Sequence, residues 1–397
     1  MNIFLFVDSY LPSTKSCAKL MYDLANRFFE LGNNVTVITL SEEIDKKIQI
    51  EVADNIKIIR IKTGKIKTSP NKILRAINEI SISYKVWKYG KEYFLNNKSD
   101  LLIWYSPTIF FGRVINKIKK LNNAQTYLIL RDIFPQWALD LGILKRGIVY
   151  YFFKMMELYQ YKQADVIGVQ SPSDLEYFKK NNLYQKYKIE VLYNWTKIQN
   201  KVLIKSSYRN KFNLNDKVVF FYGGNIGIAQ DIDNILRLAK NLIKEPKAHF
   251  LLVGDGNEFE RINLLIKSEK LLNVTLKKAV EQKEYLSMLS EFDIGLISLN
   301  KNLITSNFPG KMLGYMEFSM PMLISLNKGT DLENLIKKTN SGLTSINGDD
   351  ETFKKNALVL LKNLNLRKKM SLNSKNLLFD KFTIEIASNK ILSHQNI

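Results

Sequence analysis

An apolar run, Val218 to Tyr222, ends in Gly223-Gly224-Asn225-Ile226-Gly227, and a helical pattern with apolar Ile232, Ile235, Leu236 and Ala239 follows directly. A second run, His249 to Val253, then ends in Gly254-Asp255-Gly256. Strand, glycine turn, helix and strand in that order predict a β-α-β unit, whose crossover makes its two strands parallel. Further strands are expected at Val274 to Leu276, Ile294 to Leu299 and Pro321 to Ser325, and the last 45 residues are helical in pattern. The first half of the chain repeats the order. Ile3 to Val7 and Val35 to Leu40 flank a helix over Ser16 to Leu31, and strands follow at Ile56 to Ile61, Leu101 to Trp104, Thr126 to Leu130, Asp165 to Gln170 and Ile189 to Leu192. A helix is expected over Tyr150 to Lys162, and one continuous helical stretch from about Ile73 to Phe94.

A length of 397 residues exceeds what one core usually holds. The patterning weakens from Tyr193 to about Asn215, so the expected architecture is α/β with two doubly wound Rossmann-like domains. Their expected limits are 1–195 and 196–380, with a helix over 381–397 packing back on the first. In open parallel sheets, turns at the strand ends line the ligand crevice. Here those turns are Asp8 to Ser16, Tyr105 to Thr108, Arg131-Asp132 and the two glycine turns.

A third helix start, Pro309-Gly310, follows the strand Ile294 to Leu299. The first amides, at Gly310, Lys311 and Met312, are expected to lack partners inside the helix and, with the dipole, to favour an anion. Lys311 puts a positive charge where the dipole disfavours one, a conflict that a phosphate would resolve. The same residues also suit a proline-initiated helix with an incidental lysine. Asp231-Ile232-Asp233 has the look of an acidic metal motif but stands at a helix start, where N-capping is the expected role. Only two histidines exist, His249 on an apolar strand and His394 in the tail, which argues against a histidine-based triad or metal site.

The net charge of +21 is concentrated: Lys57 to Lys120 holds 15 basic residues against Glu79, Glu92 and Asp100. Tyr84, Trp87, Tyr89, Tyr93 and Phe94 are interleaved with them. Basic residues with Trp and Tyr suit an anionic membrane surface; nucleic acid and a solvated lysine face are the alternatives. No apolar run approaches the ~18 residues of a membrane span. Met1 to Val7 lacks a basic leader and reads as a strand. The single cysteine, Cys17, permits no internal disulfide, and a reducing cytoplasm is expected.

Gly223 to Gly227, Gly254-Asp255-Gly256, the Lys277 to Val280 strand end, Asp293, Pro309-Gly310-Lys311 and Ser319-Met320-Pro321 together resemble the family-4 retaining glycosyltransferases, over essentially the whole chain. Asp8-Ser9-Tyr10-Leu11-Pro12, Arg131-Asp132-Ile133-Phe134-Pro135-Gln136-Trp137, Val191-Leu192-Tyr193-Asn194-Trp195 and Gly224-Asn225-Ile226-Gly227 narrow the resemblance to bacterial O-antigen and capsule transferases, notably those assigned to N-acetyl-L-fucosamine. The resemblance implies the GT-B architecture of two facing Rossmann-like domains. It also implies a UDP-sugar donor held without metal or cofactor by the C-terminal domain, and a polyprenyl-diphosphate-linked acceptor at the cytoplasmic face of the membrane. On the donor side it implies Gly223, Gly224, Asn225, Gly227, Gln230, Asp255, Gly256, Val280, Ser306, Asn307, Phe308, Pro309, Gly310 and Gly314. On the acceptor side it implies Ser13, Thr14 and Lys15, with Arg131, Asp132 and Lys311 carrying the chemistry.

The sequence departs from the family at its usual Glu-x7-Glu pair, which reads Ser306 and Gly314 here. The family's phosphate-binding Arg and Lys appear as Asn225 and Gln230, and a histidine common after the fourth strand corresponds to about Arg131. Lys311, with Lys15 or Arg131, would supply the missing positive charge. Asp132 would orient the acceptor hydroxyl or act as base, or form a structural salt bridge with Arg131. A nucleotide-sugar epimerase of the same fold and a basic nucleic-acid-binding protein are the rival readings. The first generally needs cleft carboxylates and a histidine. The second does not explain two ordered glycine-turn units.

Overall fold

The computed structural model describes residues 1–13, 15–66, 71–140, 142–198, 208–301 and 308–395. The chain divides into two compact units, Met1–Lys197 with Ile384–Ile397, and Ile198–Thr383.

In the first unit, among the described residues, eight strands form one sheet. They are β1 (Asn2–Val7), β2 (Asn34–Ser41), β3 (Ile48–Ala53), β4 (Ile56–Lys62), β5 (Leu101–Ser106), β6 (Gln125–Leu130), β7 (Val166–Val169) and β8 (Ile189–Val191), in the order β3-β4-β2-β1-β5-β6-β7-β8. All pairings are parallel except β3 with β4. Alternate residues of β1 feed two layers, as strand geometry requires. Phe4 and Phe6 pack among Val86, Phe94, Phe111 and Val114. Ile3, Leu5 and Val7 pack among Met21, Leu24, Phe28, Ile384 and Ile391. The helix Ile384–Leu392 thus completes the first unit's core, and the Ile384 amide and the Lys390 ammonium donate to the Thr196 and Val191 carbonyls at 3.1 and 2.7 Å.

The expected helix from Ile73 to Phe94 is two helices, Lys72–Ile80 and Ile82–Asn96, broken at Ser81. Ser81 Oγ donates to the Asn78 carbonyl at 2.8 Å, a local bond that competes with helix continuation. The break lets Ile82, Val86 and Phe94 reach the core while Leu74, Ile77 and Ile80 stay exposed. The aromatic set expected at a surface is divided: Phe94 is fully buried, Trp87, Tyr89 and Tyr93 are half-buried against the core, and Tyr84 is exposed. The edge strand β3 is absent from the sequence-based strands although Ile48, Ile50 and Val52 alternate along it; at the sheet edge that stripe is largely exposed, with Ile50 at 52% and Val52 at 68%.

The second unit holds β9 (Val218–Gly223), β10 (Ala248–Val253), β11 (Val274–Lys277), β12 (Ile294–Ser298), β13 (Met322–Leu326) and β14 (Gly342–Ile346), all parallel, in the order β11-β10-β9-β12-β13-β14. Numbered within the unit this is 3-2-1-4-5-6, the dinucleotide-fold order, whose ligand crevice opens where the order reverses, between the C-terminal ends of β9 and β12. The residues of β10, β12 and β13 are buried throughout, as expected for a parallel sheet covered on both faces. Among the described residues, no helix is long and apolar enough to cross a membrane.

Candidate functional site

Gly223-Gly224-Asn225-Ile226-Gly227 lies at the reversal point of the second sheet, and its close fit to the Gly254 turn fixes its shape. The Gly224 amide donates to Val253 O at 3.0 Å, the Ile226 amide to Asp255 O at 2.8 Å, and the Glu258 amide to Ile226 O at 3.1 Å. A Cβ at Gly254 would stand 1.8 Å from Gly224 O, and one at Gly256, whose φ is +155°, would stand 2.3 Å from Ile226 O. Only glycine permits this approach. Two amides of the Gly223 to Gly227 turn therefore serve the fold rather than a ligand, and a third, at Gly223, donates to Tyr315 Oη at 3.2 Å. Gly224, Asn225 and Asp255 remain exposed on the rim, Gly227 is buried, and Asn225 Nδ2 donates to Gln230 Oε1 at 2.8 Å.

Three tyrosines absent from the sequence-based set shape the floor. Tyr315 is fully buried, with its hydroxyl 3.1 Å from Leu296 O and 3.3 Å from Phe221 O. Tyr285 packs so tightly on Gly223 that a Cβ there would meet its ring at 2.3 Å. Tyr222 donates to Asn225 O at 2.5 Å. Their signal was present as Tyr222 near the end of β9, Tyr285 in the helix Gln282–Leu289 and Tyr315 beside Gly314, but aromatic residues at such positions read equally as core.

The Lys311 ammonium lies 3.4 Å from the centroid of the Tyr222 ring, a cation–π contact, and beside the backbone of Gly224. Burial pushes its pKa well below the usual lysine range. Although part of the lysine surface touches solvent, the charged end is enclosed. Among the described residues, no carboxylate lies within ion-pair reach of it.

The helix start expected to bind an anion is less open than its sequence suggests. The helix Lys311–Glu317 has only seven residues, and the Met312 amide, expected to be unpartnered, donates to Pro309 O at 3.0 Å. Pro309 is half-buried and Gly310 exposed, with open space where a Cβ would stand. Gly314, in place of the family's second Glu, is half-buried and has Leu289 nearby. Phe308 is buried, its ring 5.8 Å from that of Phe382, so it serves packing. Val280 is half-buried in the loop after β11. Ser306, Asn307 and Thr14 lie outside the described residues.

Asp231 corrects another expectation. It stands at the N-cap position of the helix Ile232–Asn241 with φ 44° and makes no capping bond; its Oδ2 accepts from Asn347 Nδ2 at 2.8 Å. Asp233 forms a two-pronged pair with Arg261 at 2.9 and 2.5 Å. Among the described residues, no group of three His, Cys, Asp or Glu side chains could hold a metal ion. His249 bonds Thr275 Oγ1 at 2.9 Å within the sheet, and burial lowers its pKa to about 4.

In the first unit, Arg131 and Asp132 follow β6. They form no ion pair, so the salt-bridge alternative fails. Arg131 is buried, with Nη1 donating to Leu130 O and Gly168 O at 3.1 and 3.4 Å and its guanidinium over the Trp195 ring at 5.7 Å. Among the described residues, Nε and Nη2 have no hydrogen-bond partner. Burial lowers the Arg131 pKa. Burial raises that of Asp132, with the nearby Asp8 adding to the rise and Arg131 opposing it. Asp8 and Tyr105, at the ends of β1 and β5, belong electrostatically to this cluster. Beside it, a cavity of about 550 Å3 is lined by Asp8, Ser9, Ser13, Glu42, Arg60 and Glu79, among others. The Lys15 amide lies 3.4 Å from Ser13 Oγ, and Lys15 precedes the helix Ser16–Glu30.

Residues 204–377, nearly the whole second unit, match the family model described as Glycosyl transferases group 1. The second unit carries the group 1 glycosyltransferase pattern. WbjE, a probable glycosyltransferase of Pseudomonas aeruginosa, is 25% identical over 222 residues, 54% of this chain and 54% of that relative. WcaI of Escherichia coli, a putative colanic acid biosynthesis glycosyl transferase, is 22% identical over 247 residues, 60% of each chain. The matches thus span little more than half the length of either relative. The crystal structure of HepE from Anabaena in complex with UDP shares the fold across both units, with a TM-score of 0.66 at 12% identity over 99% of each chain. Two Rossmann-like units in one chain constitute the GT-B fold.

Proposed function

We propose that the chain is a retaining, metal-independent glycosyltransferase. It would move a UDP-activated deoxy-N-acetylamino sugar, N-acetyl-L-fucosamine as the specific candidate, onto a polyprenyl-diphosphate-linked acceptor in O-antigen or capsule synthesis. It would act as a peripheral protein on the cytoplasmic face of the membrane. One observation carries the reading: at the reversal point of the second sheet a buried ammonium, Lys311, lies beside an exposed glycine turn with no carboxylate among the described residues to neutralise it. A buried cation without a counter-ion is costly, and a diphosphate would supply one. The UDP bound by HepE and the colanic acid role named for WcaI support the donor and product classes.

Charge flow gives the chemistry. As the sugar–phosphate bond breaks, negative charge grows on the departing diphosphate, and the Lys311 ammonium stabilises it more than it stabilises the intact donor. The acceptor attacks on the same face, and a departing phosphate oxygen takes its proton, so no enzyme nucleophile is needed. Asp132, made more basic by burial, orients the acceptor hydroxyl.

The test is a thermal-shift and turnover screen against UDP, GDP, dTDP and their sugars, with and without EDTA. A UDP-dependent rise in Tm that survives EDTA, with sugar transferred only when a lipid-linked acceptor is present, is the expected result. The absence of a shift with every nucleoside diphosphate refutes the donor site.

A further inference from the structure

We infer that one apolar face of the first unit, built from the helix Lys72–Ile80 and the start of the helix Ile148–Tyr161, seats on an anionic lipid surface. Leu74, Ile77 and Ile80 recur every three residues on the first helix and are all exposed, with Ile77 at 57%. This spacing makes one stripe, and nothing among the described residues covers it. On the second element Val149, Tyr151 and Met155 are exposed and Ile148 is 91% exposed, and Ile143 is exposed in the segment before it. The two sets are continuous: a small apolar cavity of about 40 Å3 is lined by Ile80 from the first helix, Phe152 and Met156 from the second, and Ile109 and Phe110 between them. An exposed apolar surface assembled from two elements marks an interaction site.

Charge selects the occupant. Lys145 and Arg146 are exposed just before the second helix, with Asp140 the nearest acid in sequence, whereas Lys154 is taken up by an ion pair with Glu157 at 2.5 Å. Arg113 lines the connecting cavity and Lys117 lies over Trp87 at 4.9 Å. The acid of the first helix, Glu79, lines the larger cavity instead. Two copies of this face would oppose like charges, whereas anionic headgroups complement them. Isoleucine, methionine and tyrosine side chains between basic residues suit the boundary of headgroups and acyl chains. The membrane contact expected from Lys57 to Lys120 is thereby moved: it centres on two apolar stripes, with the basic residues at their rim. This inference does not depend on the proposed transfer chemistry.

The full chain is incubated with vesicles of phosphatidylcholine alone or of equimolar phosphatidylcholine and phosphatidylglycerol, and sedimented. At least about tenfold stronger partitioning onto the anionic vesicles is expected, lowered about tenfold by Ile77→Asp with Ile148→Asp and by Lys145→Glu with Arg146→Glu. Both pairs are at the surface, and an unchanged Tm certifies folding. Wild-type partitioning by both double variants overturns the inference, as does wild-type self-association that Ile77→Asp with Ile148→Asp abolishes, which would make the face a contact between copies. The UDP shift is read on the same samples: its absence counts against the donor site alone, and lost partitioning with an intact shift counts against this face alone.

Discussion

Replacing Lys311 by Met should raise the stability of the free protein and remove most of its response to UDP. Met has a similar length and keeps the contact with the Tyr222 ring but carries no charge. In the free protein the variant loses a cation–π contact worth up to about 2 kcal/mol when desolvated, and loses the penalty of an enclosed ammonium, which is of order several kcal/mol. A net gain of about 1 kcal/mol is expected, or roughly 2–4 °C in Tm for a unit of this size. The pH dependence fixes the sign. Burial depresses the folded pKa of Lys311 below its unfolded value of about 10.4, so the unfolded state holds more protons between the two. Wild-type stability should therefore rise with pH across that interval, and the variant should lack this rise.

With ligand the order reverses. A charge-assisted bond to phosphate contributes about 1.5–3 kcal/mol, or roughly 10- to 150-fold in Kd. At a UDP concentration about 100 times the wild-type Kd, the wild-type protein gains about 2.7 kcal/mol. A variant weakened about 100-fold gains about 0.4 kcal/mol, a Tm shift of only about 1–2 °C. Scanning fluorimetry with and without UDP resolves the difference. A variant whose UDP shift equals that of the wild type would refute the placement of Lys311 against the diphosphate.

Binding a dianion should raise the Lys311 pKa, so UDP binding above the free-state pKa should take up a proton; calorimetry in buffers of different ionisation enthalpy measures it, and buffer-independent heats contradict it. Gly254→Ala should destabilise the second unit by about 3 kcal/mol or more, because its Cβ overlaps Gly224 O, while Gly310→Ala, which meets open space, should be neutral; urea unfolding compares them. His249 has a folded pKa of about 4, below its unfolded value of about 6.5, so stability is lost as pH falls through that interval by about 2–3 kcal/mol. His249→Gln should flatten that part of the curve. Asp132→Asn should keep the UDP shift and lower turnover at least about tenfold, and full turnover by this variant would exclude Asp132 from the reaction.

The alternation of strand and helix was legible because parallel sheets buried on both faces write continuous apolar runs, as β10 and β12 do. The glycine turns were legible as turns, but not their purpose. No local pattern told that Gly254 exists to admit Gly224 O, a contact across 30 residues. Lys311 could be singled out as a charge at odds with its helix, whereas its seat on Tyr222 depends on two distant segments meeting. For Arg131 and Asp132 the opposite holds: neighbours in sequence left an ion pair open as one alternative, and the folded side chains form none. The break at Ser81 was hidden because both helices carry apolar residues, and only the packed core shows which set is inside.

The first unit is discontinuous: it needs Ile384–Leu392 to fill the layer beneath Met21 and Leu24, while the second unit is one uninterrupted segment. During synthesis the usual order, in which the N-terminal domain matures first, is therefore inverted. The second unit can complete its sheet while the first, though started earlier, still waits for Ile384–Leu392 to leave the ribosome. A chain cut short after Thr383 would present a finished second unit attached to an unsealed first one, with the apolar underside of the helix Ser16–Glu30 open to quality-control machinery.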